Sequence, residues 1–285
     1  MLTTITPYWG RPDTLAAWLE AVKHASIPGM KHIVFFIGEP IPDWVQLRYG
    51  MDTEFLFVPK LEDKPGDLSI GHYHNLGAKL ACTEWMMKLD VDTIPNMGYF
   101  RELRNVLRTA RATEWFNGGM MYISSTASAQ FLSAAAMPLR EETYKMIMAD
   151  RRRYCESRFI GPAATNFICR TGTYLALGGC DSRFRGYGWE DYQQIYALEL
   201  YQRGKDPLPG VITFENVHRR CCQEISRLKA RALLVRNPML CLFHRYHASS
   251  STPNYKTHEV MHKNRQILLE HVLQSRKERM NYAGQ

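Results

Sequence analysis

Several features that define common protein classes are missing from this chain of 285 residues. No apolar run approaches the roughly 18 to 20 residues that a membrane-spanning helix needs, and no basic segment followed by a long apolar stretch opens the sequence. The seven cysteines are odd in number and form no CxxC pair, which disfavours a disulfide framework and a zinc ribbon. These absences predict a soluble, cytoplasmic protein with reduced thiols.

The usual nucleotide-binding signatures are also missing. No G-x-G-x-x-G follows the first predicted strand, and no G-x-x-x-x-G-K-[ST] occurs anywhere, so a dinucleotide fold of the common kind and a P-loop are both disfavoured. Positive charge, in contrast, is in excess: 36 Lys and Arg face 28 Asp and Glu, and basic clusters lie at 219–236 and 151–158. Such clusters could bind a polyanionic partner such as nucleic acid, or a nucleotide pyrophosphate. The alternative is a charged face that is simply solvated.

The first half of the chain alternates short apolar strands with amphipathic helices. Strands are predicted at 2–6, 32–37, 54–58 and just before Asp90, and helices from Pro12, at 72–81 and at 96–110 with Asn96 as N-cap. This alternation predicts an α/β fold with a mostly parallel central sheet flanked by helices, and places ligands at the carboxyl ends of the strands. The alternation stops near residue 124, and a last helix is predicted at 257–280.

An acidic triplet, Asp90-Val91-Asp92, ends the fourth predicted strand. Residues i and i+2 of an extended backbone point the same way, so the two carboxylates converge. Paired carboxylates suit Mg²⁺ or Mn²⁺, ions that keep positions open for substrate phosphates, and this indicates a phosphate ester or nucleotide as substrate. The alternative is a turn in which acidic residues ahead of Pro95 bond their own backbone.

A second acidic pair, Glu190-Asp191, follows a glycine-aromatic loop at 186–189. The pair could simply complement the dipole at the start of a helix. In the functional interpretation, Tyr187 and Trp189 offer flat faces for sugars or bases, and a neighbouring carboxylate acts as a general base. Further on, His244 and His247 are candidate metal ligands because they follow an apolar stretch at spacing i, i+3.

Taken in order, these motifs resemble the glycosyltransferases of the GT-A fold. Ile5 to Arg11 resembles the first nucleotide-contacting strand and loop, and Asp90 to Asp92 resembles the Asp-x-Asp metal motif. Residues 167–181, followed by 186–191, are similar to the acceptor half of the β-1,4-galactosyltransferase and polypeptide N-acetylgalactosaminyltransferase relatives. Two departures stand out. Gly38-Glu39 replaces the Asp-Asp-Gly-Ser common in family-two enzymes, and Trp189 replaces the glycine that precedes the Glu.

The resemblance implies a metal-dependent transfer of a sugar from a nucleotide-sugar donor, expected to be a UDP-sugar, to a hydroxyl acceptor. Asp191 would be the base of an inverting reaction and Glu190 would bind acceptor or orient the site. The implied ligand of Mn²⁺ or Mg²⁺ is Asp92, with Asp90 contacting the metal or the ribose and His244 or His247 completing the shell. The implied donor contacts are Pro7, Tyr8, Arg11, Lys88, Asp90 and Trp189, with Lys79 as a further candidate.

The resemblance also implies one integrated domain in three segments: a nucleotide-sugar-binding half at 1–123, an acceptor-binding and metal-completing half at 124–255, and a C-terminal helix at 256–285. Two alternatives remain open, a nucleotidyltransferase and a nucleic-acid-binding protein that uses the basic clusters. A merged hypothesis is a transferase acting on hydroxymethylated bases of DNA in a phage context, in the host cytoplasm. Its acceptor base would be extruded from the duplex and stacked on Trp189 or Tyr187.

Overall fold

A computed structural model describes residues 1–59, 69–133, 137–161, 166–186, 188–222, 232–233, 236–237, 239–245 and 257–283. Within these ranges the strands are β1 (Leu2–Tyr8), β2 (Lys31–Phe36), β3 (Phe55–Val58), β4 (Trp85–Lys88), β5 (Thr93–Ile94), β6 (Phe116–Asn117), β7 (Gly119–Ile123), β8 (Cys155–Gly161), β9 (Phe167–Arg170) and β10 (Cys241–His244). The helices are α1 (Pro12–Ala25), α2 (Asp43–Tyr49), α3 (Ile70–Leu80), α4 (Tyr99–Arg108), α5 (Ser125–Ser133), α6 (Met137–Ala149), α7 (Arg151–Tyr154), α8 (Thr171–Ala176), α9 (Glu190–Arg203), α10 (Val217–Cys221) and α11 (His258–Ala283).

The larger sheet has six strands in the order β3-β2-β1-β4-β9-β6. Strands β3, β2, β1 and β4 run parallel, while β9 is antiparallel to both β4 and β6. The prediction of a mostly parallel central sheet flanked by helices is therefore confirmed. Strand β9 comes from the second predicted segment and lies beside β4, so the two segments share this sheet.

A smaller sheet of four strands has the order β5-β10-β7-β8. Its strand β10 is antiparallel to β5, with His244 opposite Thr93, and parallel to β7. Because β5 begins directly after Asp92, this pairing brings the far C-terminal strand to the end of the acidic triplet.

The larger sheet is buried on both faces, and successive strand residues supply the two sides. Ile33 and Phe35 of β2 belong to one apolar cluster, which α3, α9 and α11 cover. Val34 and Phe36 belong to the other, which α1 and α4 cover. This arrangement explains why the strands read as continuous apolar runs. Among the helices that the structure describes, none combines the length and apolar character needed to cross a membrane.

One predicted helix start is wrong. Helix α4 begins at Tyr99 rather than at residue 96, and Gly98 is its N-cap residue. The Asn96 side chain instead accepts a hydrogen bond from the Gly98 amide at 2.9 Å and donates one to the Met239 carbonyl oxygen at 2.7 Å. An Asx turn therefore precedes the helix, because the asparagine side chain competes with helical backbone bonding.

The close approach of α3 to β1 depends on Gly77. A methyl group at this position would lie 2.4 Å from Cγ2 of Ile5. We expect Gly77→Ala to lower the free energy of unfolding by about 1–3 kcal/mol, the usual cost of overpacking a core. Urea denaturation followed by circular dichroism measures the change. Gly172→Ala in α8 is the matched control, since nothing lies within 4 Å of its added methyl group; an equal loss in both variants would contradict the packing explanation.

Candidate active site

The carboxyl ends of β1 and β4 lie together at one edge of the larger sheet. The two strands are parallel neighbours, so the loop at 9–11 and the segment at 89–92 leave the sheet side by side. Thr6 Oγ1 donates to the Leu89 carbonyl oxygen at 2.7 Å, and the Thr93 amide donates to the Asp90 carbonyl oxygen at 3.0 Å. The acidic triplet thus both forms a turn and lies at the edge where ligands of α/β sheets bind.

Asp92 lies beside two other predicted site residues, Arg11 and His244. Its Oδ2 accepts a hydrogen bond from Arg11 Nη1 at 2.8 Å, and its Oδ1 lies 3.7 Å from His244 Nε2. The Asp92 carbonyl oxygen also accepts from the Arg245 amide at 2.8 Å. Asp92 as a whole is almost buried, at 9% exposure. The structure therefore brings together Arg11, Asp92 and His244, which the sequence separates by more than 80 and 150 positions respectively.

The donors around Asp92 fit a divalent cation that keeps most of its positions open. A carboxylate and an imidazole face each other, and this mixed oxygen and nitrogen pair suits Mn²⁺ better than Mg²⁺, which prefers oxygen. Across the described ranges, no group of three or more His, Cys, Asp or Glu side chains is arranged so that it could hold a metal ion by itself. His247 lies outside the described residues. Asp92 and His244 are therefore the two predicted ligands that the described structure brings together.

The second acidic pair lies against β4 through a buried lysine. Lys88, the last residue of β4, donates from Nζ to Oδ1 of Asp191 in the first turn of α9. Lys88 is 1% exposed and Asp191 is 7% exposed. The ammonium group also lies 5.0 Å from the ring centroid of Phe167. The strand that leads into Asp90 thus also carries the cation that binds Asp191, 103 residues later.

The electrostatics of this buried group link the two acidic motifs. Burial, followed by the charge of Asp191, raises the pKa of Glu190 to about 8, and the charge of Asp90 adds to the effect. Burial opposes the charged form of Lys88, but the charges of Asp191 and Glu190 outweigh it and raise the pKa of this lysine. Glu190 can therefore hold a proton at neutral pH beside a Lys88–Asp191 ion pair.

His74 in α3 is a buried titratable residue that sequence reasoning missed. It is 1% exposed, and within the described ranges neither ring nitrogen has a hydrogen-bond partner. Burial, followed by the nearby charge of Lys88, holds its pKa well below the usual value, so the ring is neutral. In a single sequence, nothing distinguishes His74 from any other histidine in a helix, so its place near Lys88 could not be predicted.

The loop before the second acidic pair has an unusual backbone. Gly186 and Gly188 have φ values of 61° and 92°, and Trp189 has a φ of 80°. Trp189 is the one non-glycine residue with positive φ in the part of the chain that the structure describes. A glycine adopts this conformation without strain. The resemblance expects a glycine at position 189. Trp189 therefore adopts the positive φ that a glycine would adopt there.

The Trp189 ring is itself packed into the protein. It is 5% exposed, its centroid lies 4.0 Å from that of His218, and the Arg265 guanidinium lies 5.1 Å from it. In this conformation the ring contacts protein groups, and its stacking on a donor or a base stays a prediction. Tyr187 lies outside the described residues.

Glu39 stabilises the first loop, a role that sequence reasoning missed. Its Oε1 accepts a hydrogen bond from the Gly10 amide at 2.6 Å. Nearby, the hydroxyl of Tyr8 accepts from the Arg11 amide at 3.2 Å, and burial together with the Glu39 charge raises the pKa of Tyr8 to about 12. Tyr8 is buried and the preceding Pro7 is half-buried, while Lys79 is exposed on α3. Their predicted donor contacts remain predictions.

This chain belongs to the family described as glycosyltransferase like family 2, whose sequence model matches residues 52–272. The match covers both acidic motifs and more than three quarters of the chain. It confirms the resemblance to GT-A glycosyltransferases that the motifs predict. No curated protein sequence matches the chain.

Several solved glycosyltransferase structures are similar to this chain at low sequence identity. They include S. aureus TarS 1–349 in complex with UDP (12% identity, TM-score 0.45, 69% of this chain and 54% of that one). A second is glucosyl-3-phosphoglycerate synthase from Mycobacterium tuberculosis in complex with Mn²⁺, UDP and phosphoglyceric acid (14% identity, TM-score 0.42, 71% of this chain and 64% of that one). A third is the catalytic domain of Drosophila β1,4-galactosyltransferase 7 in complex with xylobiose (12% identity, TM-score 0.37, 70% of this chain and 61% of that one). The chain spans about half the length of the TarS fragment. The family match, rather than these likenesses, carries the assignment.

Proposed function

We propose that this protein transfers a sugar from a nucleotide-diphospho-sugar, specifically a UDP-sugar, to an acceptor hydroxyl with inversion at the anomeric carbon. The observation that carries the proposal is the meeting of two acidic motifs at one sheet edge. Asp92 faces His244 at 3.7 Å, and Lys88 of the same strand segment binds Asp191. Membership of a glycosyltransferase family supports it.

The donor diphosphate is proposed to bind near Asp92, Arg11 and His244. Asp92 and His244 would hold Mn²⁺ or Mg²⁺, with Asp90 and His247 as further candidate ligands. When bound, such a cation offsets the negative charge that develops on the leaving diphosphate. Arg11 is positively charged and 29% exposed at its side chain, so it can bind a phosphate oxygen while its partner Asp92 turns to the cation.

The acceptor chemistry is proposed to belong to Asp191. Its carboxylate accepts the proton of the acceptor hydroxyl as the oxygen attacks the anomeric carbon, and the bond from that carbon to the diphosphate breaks with both electrons leaving on the diphosphate. One base on the face opposite the leaving group inverts the anomeric centre. Glu190, whose pKa is raised to about 8, is proposed to donate a hydrogen bond to the acceptor or to orient Asp191.

The acceptor is proposed to be a hydroxyl of a glycan, with hydroxymethylated DNA as the alternative that the basic residues favour. Arg151, Arg152 and Arg153 of α7 are exposed, whereas residues 223–231 of the other cluster lie outside the described ranges. Incubation with labelled UDP-sugars and either saccharides or hydroxymethylated DNA separates the two. Release of pyrophosphate from a nucleoside triphosphate and a sugar phosphate would instead indicate a nucleotidyltransferase.

The donor site is tested by Asp92→Ala. We expect UDP with MnCl₂ to raise the melting temperature of the unmodified protein, because saturation at about 100 times Kd adds about 2.7 kcal/mol of stability. Asp92→Ala should remove the part of this shift that depends on the metal, since a carboxylate ligand is lost. Asp43→Ala at the exposed start of α2 is the control, with the same change of charge. A full metal-dependent shift in Asp92→Ala would contradict the proposed site.

A further inference from the structure

The C-terminal helix α11 carries a polar residue in the middle of its apolar stripe. Asn264 shares its helix face with Leu268 and Val272, which are completely buried, and is itself 1% exposed. A buried amide is costly unless its oxygen and its NH₂ group find partners. A buried asparagine at such a position therefore depends on the groups that it binds.

Asn264 binds the loop that leads into the second acidic pair. Its Oδ1 accepts from the Arg185 amide at 3.2 Å, and its Nδ2 donates to the carbonyl oxygens of Arg185 at 2.6 Å and Gly188 at 3.2 Å. One side chain thus bonds to backbone groups at both ends of residues 185–188. Because these bonds use both the acceptor and the donors of the amide, no apolar residue of similar size can replace them.

The same loop holds a strained residue. Trp189 adopts φ 80°, a conformation that costs a non-glycine residue free energy and persists only where surrounding contacts enforce it. Asn264 bonds the carbonyl of the preceding residue, and the next residue of α11, Arg265, lies against the Trp189 ring at 5.1 Å. Two consecutive residues of α11 therefore stabilise the strained turn.

The turn sets where Glu190 and Asp191 lie. Helix α9 begins at Glu190, directly after Trp189, and among the residues that the structure describes no side-chain hydrogen bond caps this helix start. The backbone of the loop therefore sets the position of the first turn of α9, together with the contact between Lys88 and Asp191. A displacement of about 1 Å at a reacting group can cost 100-fold in rate.

We infer that Asn264 is a positioning residue for the Asp191 base, so that the C-terminal helix is part of the catalytic apparatus. The inference rests on the proposed function in one respect only, that Asp191 is the base. It goes beyond that function because it assigns a role to α11, which contributes none of the proposed donor-binding or catalytic residues.

The test is Asn264→Leu, which keeps the size of the side chain and removes its hydrogen bonds. We expect kcat for sugar transfer to fall about 100-fold, while the Kd for UDP with MnCl₂ stays within about threefold, because only the acceptor side is displaced. Val272→Ala, on the same face of α11 two turns away, is the control. It should lower the melting temperature through its cavity and leave kcat unchanged below the unfolding transition.

A double-variant comparison separates positioning from any other effect. If Asn264 acts through Asp191, adding Asn264→Leu to Asp191→Asn should lower the residual rate by no more than about twofold. Losses that multiply, an unchanged kcat in Asn264→Leu, or a donor Kd that rises as kcat falls would each overturn the inference. If Asn264→Leu does not fold, Asn264→Ser takes the same measurements with the same expected outcomes.

The unmodified protein distinguishes failure of the inference from failure of the proposed function. If it transfers no sugar from any nucleotide sugar, the proposed function is wrong and the inference fails with it. If it transfers sugar and Asn264→Leu keeps the full rate, only the role of Asn264 is wrong.

Discussion

Asp191→Asn is expected to lower kcat for sugar transfer by about 10²- to 10⁴-fold, the range by which a positioned general base contributes. An asparagine has the size of the aspartate but cannot accept the proton of the acceptor hydroxyl. The Kd for UDP with MnCl₂ should change little, because Asp92, Arg11 and His244 remain in place. Initial-rate kinetics with a labelled donor and isothermal titration with UDP measure the two quantities.

Asp206→Asn is the matched control for this substitution. It makes the same chemical change in a carboxylate that pairs with Arg276 at 2.6 Å, at the far end of α9 from Asp191. We expect kcat to stay within about twofold of the unmodified protein, as for an ion pair away from the site. Full turnover by Asp191→Asn would show that another group is the base, and Glu190 would then be the next candidate.

Lys88→Met is expected to be among the most destabilising single substitutions in this protein. Removing the lysine leaves Asp191 buried at 7% exposure with its cation gone. Breaking a buried ion pair from one side costs about 3–5 kcal/mol, mostly from the charge that remains. Urea denaturation followed by tryptophan fluorescence measures the loss in the free energy of unfolding.

The double variant Lys88→Met/Asp191→Asn isolates the ion pair. Because it removes both charges, it should regain most of the stability lost in Lys88→Met. A double variant as unstable as Lys88→Met would show that the lysine stabilises the fold through its packing on Phe167 instead. Titration of the same variants with UDP also tests the predicted donor contact of Lys88, since loss of a phosphate contact would raise the Kd for UDP.

Local sequence pattern was sufficient to predict the elements that position the site. Ile33 to Phe36 are buried on both faces of the sheet, and an uninterrupted apolar run predicts such a strand. Pro12 opens a helix because it needs no amide hydrogen and its φ is already helical. Asp90 and Asp92 lie just beyond the end of β4, so their place at the sheet edge required only knowing where the strand ends. Asn96 misled the prediction because two local structures, a cap and an Asx turn, compete for the same residue type.

Contacts between distant residues could not be predicted in the same way. Lys88 is typical of a strand end and Asp191 of a helix start, and neither residue signals that a buried ion pair joins them. His74 resembles any helical histidine in the sequence, and only its burial in the fold lowers its pKa. Asn264 did carry a signal, a polar residue in an apolar stripe, but the signal names no partner.

The residue types and their order were enough to indicate an α/β protein with two acidic motifs at strand and helix ends, since these depend on neighbours within a few positions. Packing alone decided which of those groups meet. The pairing of β10 with β5 brings His244 to Asp92, and the antiparallel entry of β9 joins the second half of the chain to the larger sheet. The docking of α11 brings Asn264 to the backbone of the loop that precedes Glu190 and Asp191. These contacts depend on how whole elements bury their apolar faces, a property of the folded chain that no single stretch of sequence contains.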